Sequence, residues 1–511
     1  MKRNLMARTQ LWRVERRLEV GFTVVVGPKP VANRRFAQLL AAVLALWLGW
    51  LPMTTAAETP PKRPNVLLVH CHDLGQYLHC YGVKTVRTPN IDALAAGGVR
   101  FARSFCTNPG CSPSRASIFT GRYPHSNGVM GLTHASFAWD LNPDEKHLAQ
   151  MLREAGYTTA AVGVIHETAS GFQRCGYEQH VRQASAAPAT DAAIGLLGKF
   201  AREPGKPFFL CVGFIEPHRL GYKEPAWPGA LPGDNSFPGP ALRPDDSLGV
   251  EIPGYLRDTE GTRRELAGLQ GAIQHVDTQV GRLLAALKES GQESDTLVIF
   301  TTDHGIAMPR AKCSLYEPGV QVALMLRLPG RQGWHGGIVR PEMVSNIDYL
   351  PTILELLGQP IPVNVQGRSF APLLDGKSYQ PRQEVFTELT YHNYYDPRRA
   401  IRTETHKLIV NFTTAPAFMD PSQSWRPSSD TVVPRNPAAA YHPHVELYDL
   451  TKDPWEQNDV AERAQYAAVR TELLKRLHQH LIETKDPILL GAVTSPHHRR
   501  TAELLEGKQA K

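Results

Sequence analysis

The chain has 511 residues, 42% hydrophobic and 21% charged, which excludes a disordered or low-complexity protein and leaves room for two or three domains. Its formal net charge of +7 lies in residues 1–57, which hold nine basic and two acidic side chains; the rest of the chain carries 47 of each sign. The folded body is electrically balanced, so the charge count argues for no nucleic-acid or polyanion partner.

Arg34-Arg35 precede an uncharged stretch, Phe36 to Ala57, with the apolar centre LLAAVLALWLGWL at residues 39–51. That centre is too short to span a bilayer but suits a signal-peptide core, and Thr55-Ala56-Ala57 offer a cleavage site before Glu58. Residues 1–57 therefore read as a leader. The expected location is exported (periplasmic, secreted or lumenal) with no stable membrane span. The chain has seven cysteines, with no C-x-x-C pair and no zinc-ribbon spacing. Export permits disulfides, and the odd count leaves at least one thiol unpaired.

After Pro64, strands and helices alternate. NVLLV (65–69) predicts a buried strand. TPNIDALAAGG predicts a helix capped by Thr88, with Pro89 in its first turn and Gly97-Gly98 at its end. HLAQMLREAG reads as a helix, then YTTAAVG as a strand, and PFFLCVGF (207–214) as another. From Thr262 to Ser290, apolar residues recur near a 3.6 period, predicting a long helix. TLVIF (296–300) and VQVALMLRL read as strands, SNIDYLPTILELLG as a helix. Residues 224–254 and 413–445 are rich in Pro and Gly and predict long loops. Beyond residue 380 the pattern changes to short strands and a helix near Ala461–Glu483. The expectation is an α/β fold with a mostly parallel sheet flanked by helices over residues 58–380, a smaller α+β domain over 381–490, and a tail over 491–511 whose HHRR reads as a mobile basic end.

In open parallel sheets, ligands bind beyond the carboxyl ends of the strands. After NVLLV comes HCHDLG, with His70, His72 and Asp73. After YTTAAVG comes His166; after PFFLCVGF, His218; after TLVIF, Asp303 and His304. One such histidine is more often a satisfied core or surface residue. Four strands delivering imidazoles or carboxylates at one end suit a divalent metal and acid–base chemistry. CSPSRASIFTGR (111–122) adds Cys111 at a predicted helix start, with Pro113 in the first turn and Arg115 one turn on. A helix N-terminus beside an arginine attracts anions and depresses a thiol pKa. A small buried thiol is the bland alternative, and it leaves the arginine unexplained.

These residues resemble the sulfatase family. C-x-P-S-R followed by T-G-R is the family's segment for enzymatic oxidation of the cysteine to formylglycine, and GYTTAAVGVIH (156–166) approaches its second signature. TPNIDALAAGGVRF, the strand-plus-PH element, DTLVIFTTDHG and ELYDLTKDPWEQND extend the likeness over residues 64–485. PSRASIFTGRYPHSNGVMGL, PFFLCVGFIEPHR and the spacing from TTDHG to SLYEPG most resemble the sulfamidase branch, which acts on N-sulfoglucosamine of heparan sulfate.

The resemblance implies an alkaline-phosphatase-like fold and a hydrolase for sulfuric esters or sulfamates. It implies a divalent metal, with Ca²⁺ as the family default, held by Asp73, His72, modified Cys111, Asp303 and His304. Arg115 would steady the formylglycine hydroxyl, His166 would assist the elimination, and His218 and Lys312 would hold sulfate and protonate the leaving group. His134, Glu388, His392 and Arg399 are candidate sugar contacts, with ordinary surface loops as the alternative. A sulfated saccharide and a formylglycine-generating enzyme are the implied partners.

Two departures from the family pattern stand out. His72 and His304 replace oxygen donors, which favours Mn²⁺ or Zn²⁺ over Ca²⁺ or sets His72 outside the coordination sphere. Val164 stands where the signature has lysine, so either another basic residue compensates or the leaving group differs. The alternatives are an O-sulfatase, a phosphoester or phosphonate hydrolase on the same fold, or an inactive sulfated-glycan-binding relative. Asp277 and the acids of YDLTKDPWEQND read as structural.

Overall fold

The computed structural model describes Gly27 and residues 63–508, except 135–136, 204, 222–234, 237–241, 335, 415–428 and 433–440. The leader apart from Gly27, and most of the two loops expected at 224–254 and 413–445, lie outside the described residues. No helix among the described residues is long and apolar enough to cross a membrane.

Residues from Lys62 onward form one compact unit. Its centre is an eight-stranded sheet. In chain order the strands are β1 (Asn65–Cys71), β2 (Val99–Phe105), β3 (Thr158–Gly163), β4 (Gln179–Val181), β5 (Phe208–Phe214), β6 (Thr296–Thr302), β7 (Leu324–Arg327) and β8 (Ile338–Ser345). They lie in the order β8-β2-β7-β6-β1-β5-β3-β4. All pairings are parallel except those of β7 with β2 and β6.

Both faces of the sheet are covered, which is why its strands read as continuous apolar runs. Leu67 and Val69 of β1 join a core beneath α4 (Ala186–Ala201) and α5 (Glu260–Glu289). Val66 and Leu68, pointing the other way, join a second core with α2 (Cys111–Thr120), α3 (Leu148–Glu154) and α6 (Tyr349–Leu356). The predicted helix after Thr88 is α1 (Pro89–Ala96). Asp277 of α5 accepts from Asn90 N at 3.0 Å and Ile91 N at 2.8 Å, a structural role that ties α1 to α5 through the free amides at its start.

A second, four-stranded antiparallel sheet follows: β9 (Glu384–Tyr391), β10 (Tyr395–Thr403), β11 (His406–Asn411) and β12 (Val445–Asp449), in that order. Helix α7 (Ala467–Glu483) packs on it through Leu473, Leu477 and Leu481. Within the tail lies helix α8 (Pro496–Leu505), which Ser495 caps by accepting from His498 N at 3.1 Å and whose first turn suits Pro496. No disulfide joins any two of the seven cysteines.

Candidate active site

Strand pairing gathers the site. Cys71 at the end of β1 lies beside Thr302 of β6 on one side and Phe214 of β5 on the other, and Gly163 of β3 lies beside Gly213 of β5. The next residues of these four adjacent strands are therefore neighbours: His72 and Asp73, Asp303 and His304, His218, and His166. Asp73 has a left-handed backbone, φ 50°, held by donation from its N–H to Asp303 Oδ1 at 3.0 Å.

Helix α2 brings Cys111 to the same place. All ten of its residues are buried, and Gly121 at φ 67° ends it with a bond from its N–H to Ser117 O. The Ser114 hydroxyl donates to Asp303 O, and Asn346 Nδ2 donates to Ser114 Oγ at 3.0 Å, pinning the helix to the strand ends. Arg115 sits one turn after Cys111 as expected; its Nε lies 3.3 Å from Asp303 Oδ2 and its Nη1 donates to Val164 O at 3.4 Å. Lys312, from the loop after β6, donates from Nζ to both oxygens of Asp73 and lies 3.0 Å from His218 Nε2.

The charges sort themselves by environment. Burial alone would raise the Asp303 carboxyl, but His304, His72 and Arg115 hold it well below its ordinary range. Burial opposes the Lys312 ammonium, yet Asp73 keeps its pKa raised. Burial, with Lys312 and His72 adding to it against Asp73, pushes His218 down to about 3. His218 is thus neutral: its Nδ1 faces the Arg219 carbonyl at 2.5 Å and must carry the proton, so its Nε2 accepts from Lys312. Burial would raise the Cys111 thiol, but His166, His304 and His392 hold it well below the usual range.

The donor set fits a divalent cation. His304 Nδ1 lies 3.0 Å from the Gly305 carbonyl, an acceptor, and so carries a proton, which leaves Nε2 as the atom turned to the carboxylates. Nε2 faces Asp73 Oδ1 at 3.3 Å and Asp303 Oδ1 at 3.7 Å, and against the opposing effect of burial these carboxylates raise the imidazole's pKa. Two buried carboxylates turned on one imidazole nitrogen demand positive charge between them, a proton on Nε2 or a divalent cation in its place. Asp73, Asp303 and His304 hold their ligand atoms within 4.8 Å of one another, and His72, Asp73 and His218 do the same. His72 Nδ1 approaches Asp303 Oδ2 at 3.1 Å off the axis of a hydrogen bond.

The four sugar-contact candidates divide. His134 packs edge-on against His166, ring centroids 4.4 Å apart. His392 borders Cys111. Arg399 and Glu388 do not face the site. Arg399 is 1% exposed and its Nε and Nη2 grip Asp486 at 2.5 and 3.0 Å. Glu388 is buried, accepts from His125 N at 2.9 Å and pairs with the His125 ring. Neither the expected sugar contact nor the alternative of a surface loop describes them: β9 and β10 carry both inward, into ion pairs with His125 and Asp486.

Sequence reasoning missed Asn346, Glu167 and the pair His125 and Asp486. Asn346 acts on Ser114 from 232 positions away, and no local pattern marks it. Glu167 follows His166 directly and was legible: it accepts from His166 N at 2.7 Å and faces His147 Nε2 at 3.4 Å, fixing the turn that presents His166.

Comparison with known proteins agrees with this geometry. The sulfatase family model matches residues 64–359. A second model, N-sulphoglucosamine sulphohydrolase, C-terminal, matches residues 309–420. The human N-sulphoglucosamine sulphohydrolase is 29% identical over 83% of this chain and 91% of its own length. A structure solved in complex with its substrate D-glucosamine-2-N,6-O-disulfate superposes with a TM-score of 0.63 at 22% identity, covering 83% of this chain and 99% of that one. A phosphonate monoester hydrolase of Agrobacterium radiobacter gives 0.60 at 23% identity, covering 83% and 96%. With the family model spanning more than half of the chain, and with Cys111, Arg115 and the strand-end carboxylates and imidazoles in one pocket, the chain belongs to the sulfatase family of hydrolases.

Proposed function

We propose that this enzyme hydrolyses the sulfamate of N-sulfated glucosamine units, using a formylglycine made from Cys111 and a divalent cation held by Asp73, Asp303 and His304, with His72 beside them. The observation that carries the reading is the match of residues 309–420 to the C-terminal model of N-sulphoglucosamine sulphohydrolases. That segment supplies Lys312 and His392, two of the side chains around Cys111 and Asp73. The leader read in residues 1–57 sets the enzyme outside the cytoplasm.

The residues divide the work. The hydrated formylglycine carries two hydroxyls on one carbon. One attacks sulfur, the S–N bond breaks, and the nitrogen takes a proton. Lys312, protonated and hydrogen-bonded to neutral His218, is the proton source. His166 then takes the proton of the second hydroxyl, the carbonyl re-forms and sulfate departs. Arg115 neutralises charge beside the nucleophile and holds Asp303 in place. The cation, when bound, supplies Lewis-acid stabilisation of the sulfuryl oxygens and acidifies the attacking hydroxyl.

The test is sulfate release by protein made in a host with a formylglycine-generating enzyme, on N-sulfated and 6-O-sulfated glucosamine. Mass spectrometry of the Cys111 peptide is run in parallel. Release from the N-linked substrate by protein carrying the aldehyde is expected. Turnover by protein whose Cys111 remains a thiol would remove the mechanism. Cleavage of the O-linked sulfate alone would remove the N-sulfate assignment. Val164, at the position of the signature lysine, favours one second reading, phosphonate or phosphoester hydrolysis, and a phosphonate monoester in the same assay decides it.

A further inference from the structure

His392 closes the site from the second sheet, and its ring is held from three directions. Two backbone bonds clamp the end of β9 to the α2 side of the molecule, Glu388 N to Thr107 O at 2.7 Å and Tyr391 N to Met130 O at 3.1 Å. The ring edge bearing Cδ2 packs on Gly110, the residue before Cys111: a Cβ built there would lie 3.4 Å from His392 Cδ2. On the far edge, Nδ1 lies 2.6 Å from Asn393 Oδ1. An amide oxygen only accepts, so Nδ1 carries a proton, and in the neutral ring Nε2 is then a bare lone pair.

Nε2 points where chemistry is expected. His392 is 7% exposed, and its Nε2 makes no hydrogen bond of regular geometry with any described group. The ring borders Cys111 and helps hold its thiol down, and conversion of that thiol to formylglycine takes the sulfur away from it. A buried acceptor without a partner is costly, and a ligand that donates to it recovers the loss. Sulfate esters and sulfamates differ here by one atom. The bridging oxygen of an ester has no hydrogen, whereas the bridging nitrogen of a sulfamate carries one.

We propose that His392 Nε2 accepts a hydrogen bond from the bridging N–H of the sulfamate, making this lone pair the element that selects N-linked over O-linked sulfate. The inference rests on the N-sulfate reading above and gives it a physical basis. Accepting from N–H raises the electron density on nitrogen, which eases protonation of the leaving amine by Lys312. An ester leaves Nε2 unpaired, and sites built to pair with a substrate N–H discriminate strongly against analogues that lack it.

The experiment measures kcat/KM for methyl glycosides of N-sulfated and 6-O-sulfated glucosamine with wild type, His392→Leu and Asn393→Leu, each with its formylglycine content quantified. His392→Leu is expected to lose at least tenfold more on the N-linked substrate than on the O-linked one, collapsing the ratio. Asn393→Leu, which keeps the ring but frees its tautomer, is expected to lose less, and again on the N-linked substrate alone. Equal losses on both substrates, or no loss on the N-linked one, would overturn the proposal. A wild type that ignores the N-linked substrate overturns the N-sulfate reading and this inference together. If His392→Leu does not fold, the Asn393→Leu ratio and the ¹⁵N shifts of His392 decide: a protonated Nε2 in wild type contradicts the acceptor role.

Discussion

Lys312 Nζ donates to both oxygens of Asp73, at 2.7 and 3.0 Å, in a pocket where both side chains are fully buried. The ammonium thus neutralises a carboxylate that also serves the candidate cation site. Removing it strands a buried charge, a loss of about 3–5 kcal/mol. Lys312→Met is expected to melt earlier than wild type in chelator and to recover part of the loss when a divalent cation is added. Its kcat is expected to fall ~10²–10⁴-fold. Differential scanning calorimetry with and without the cation checks this, and equal melting of the two proteins in chelator would contradict it.

The imidazole of His304 bears on the identity of the metal. Calcium prefers oxygen ligands, whereas imidazole suits manganese and zinc. Chelation is expected to abolish turnover, with Mn²⁺ or Zn²⁺ restoring it at lower concentration than Ca²⁺. His304→Asn, which returns an oxygen donor, is expected to move the order toward Ca²⁺. Titrating activity with each ion in both proteins is the check; an unchanged order in the variant would place His304 outside the coordination sphere.

Glu167 makes stability depend on acid. Burial would raise its carboxyl, but His147 and Arg115 hold it at about 2, below the ordinary 4.5. A carboxylate depressed on folding contributes stability that is present above pH 4.5 and lost as pH falls towards 2. That contribution is on the order of 3 kcal/mol. Urea denaturation between pH 6 and about 3 is expected to show a shallower pH slope for Glu167→Gln than for wild type. Parallel slopes would mean that Glu167 titrates alike in the folded and unfolded chain.

The grip of Arg399 on Asp486 predicts a stability phenotype. Arg399→Ala is expected to destabilise the fold by about 3–5 kcal/mol and to leave the KM of the surviving folded enzyme within about twofold of wild type. Chemical denaturation and steady-state kinetics on one preparation separate these effects. A large rise in KM at unchanged stability would return Arg399 to the substrate.

The pocket was legible wherever chain-local pattern met sheet topology. Asp73, His166, His218 and Asp303 each follow an apolar run, and parallel pairing brings the ends of such runs together. The second sheet was harder to read. ELTYHNYYDPRR is rich in polar and aromatic residues, and nothing local says which of them face inward. Glu388, His392 and Arg399 lie close in sequence, yet two went to an ion network and one to the side of Cys111. Ser495-Pro496 marked the start of a helix that charge alone obscured. Asn346, at the turn before α6, was invisible because its partner on α2 is remote in sequence.

The complete burial of α2 has a consequence for the order of events in the life of the chain. Cys111 is 2% exposed, and the helix it begins is covered on every side. A separate enzyme has no path to that thiol in the finished fold, since reaching it means pulling the helix away from the strand ends that anchor Ser114 and Arg115. On the proposed formylglycine reading, enzymatic conversion at position 111 belongs to the nascent, unpacked chain, before packing closes over the helix. Thiol-form protein, once folded, is expected to stay unmodified when the maturing enzyme is added, and to become a substrate for it only after unfolding.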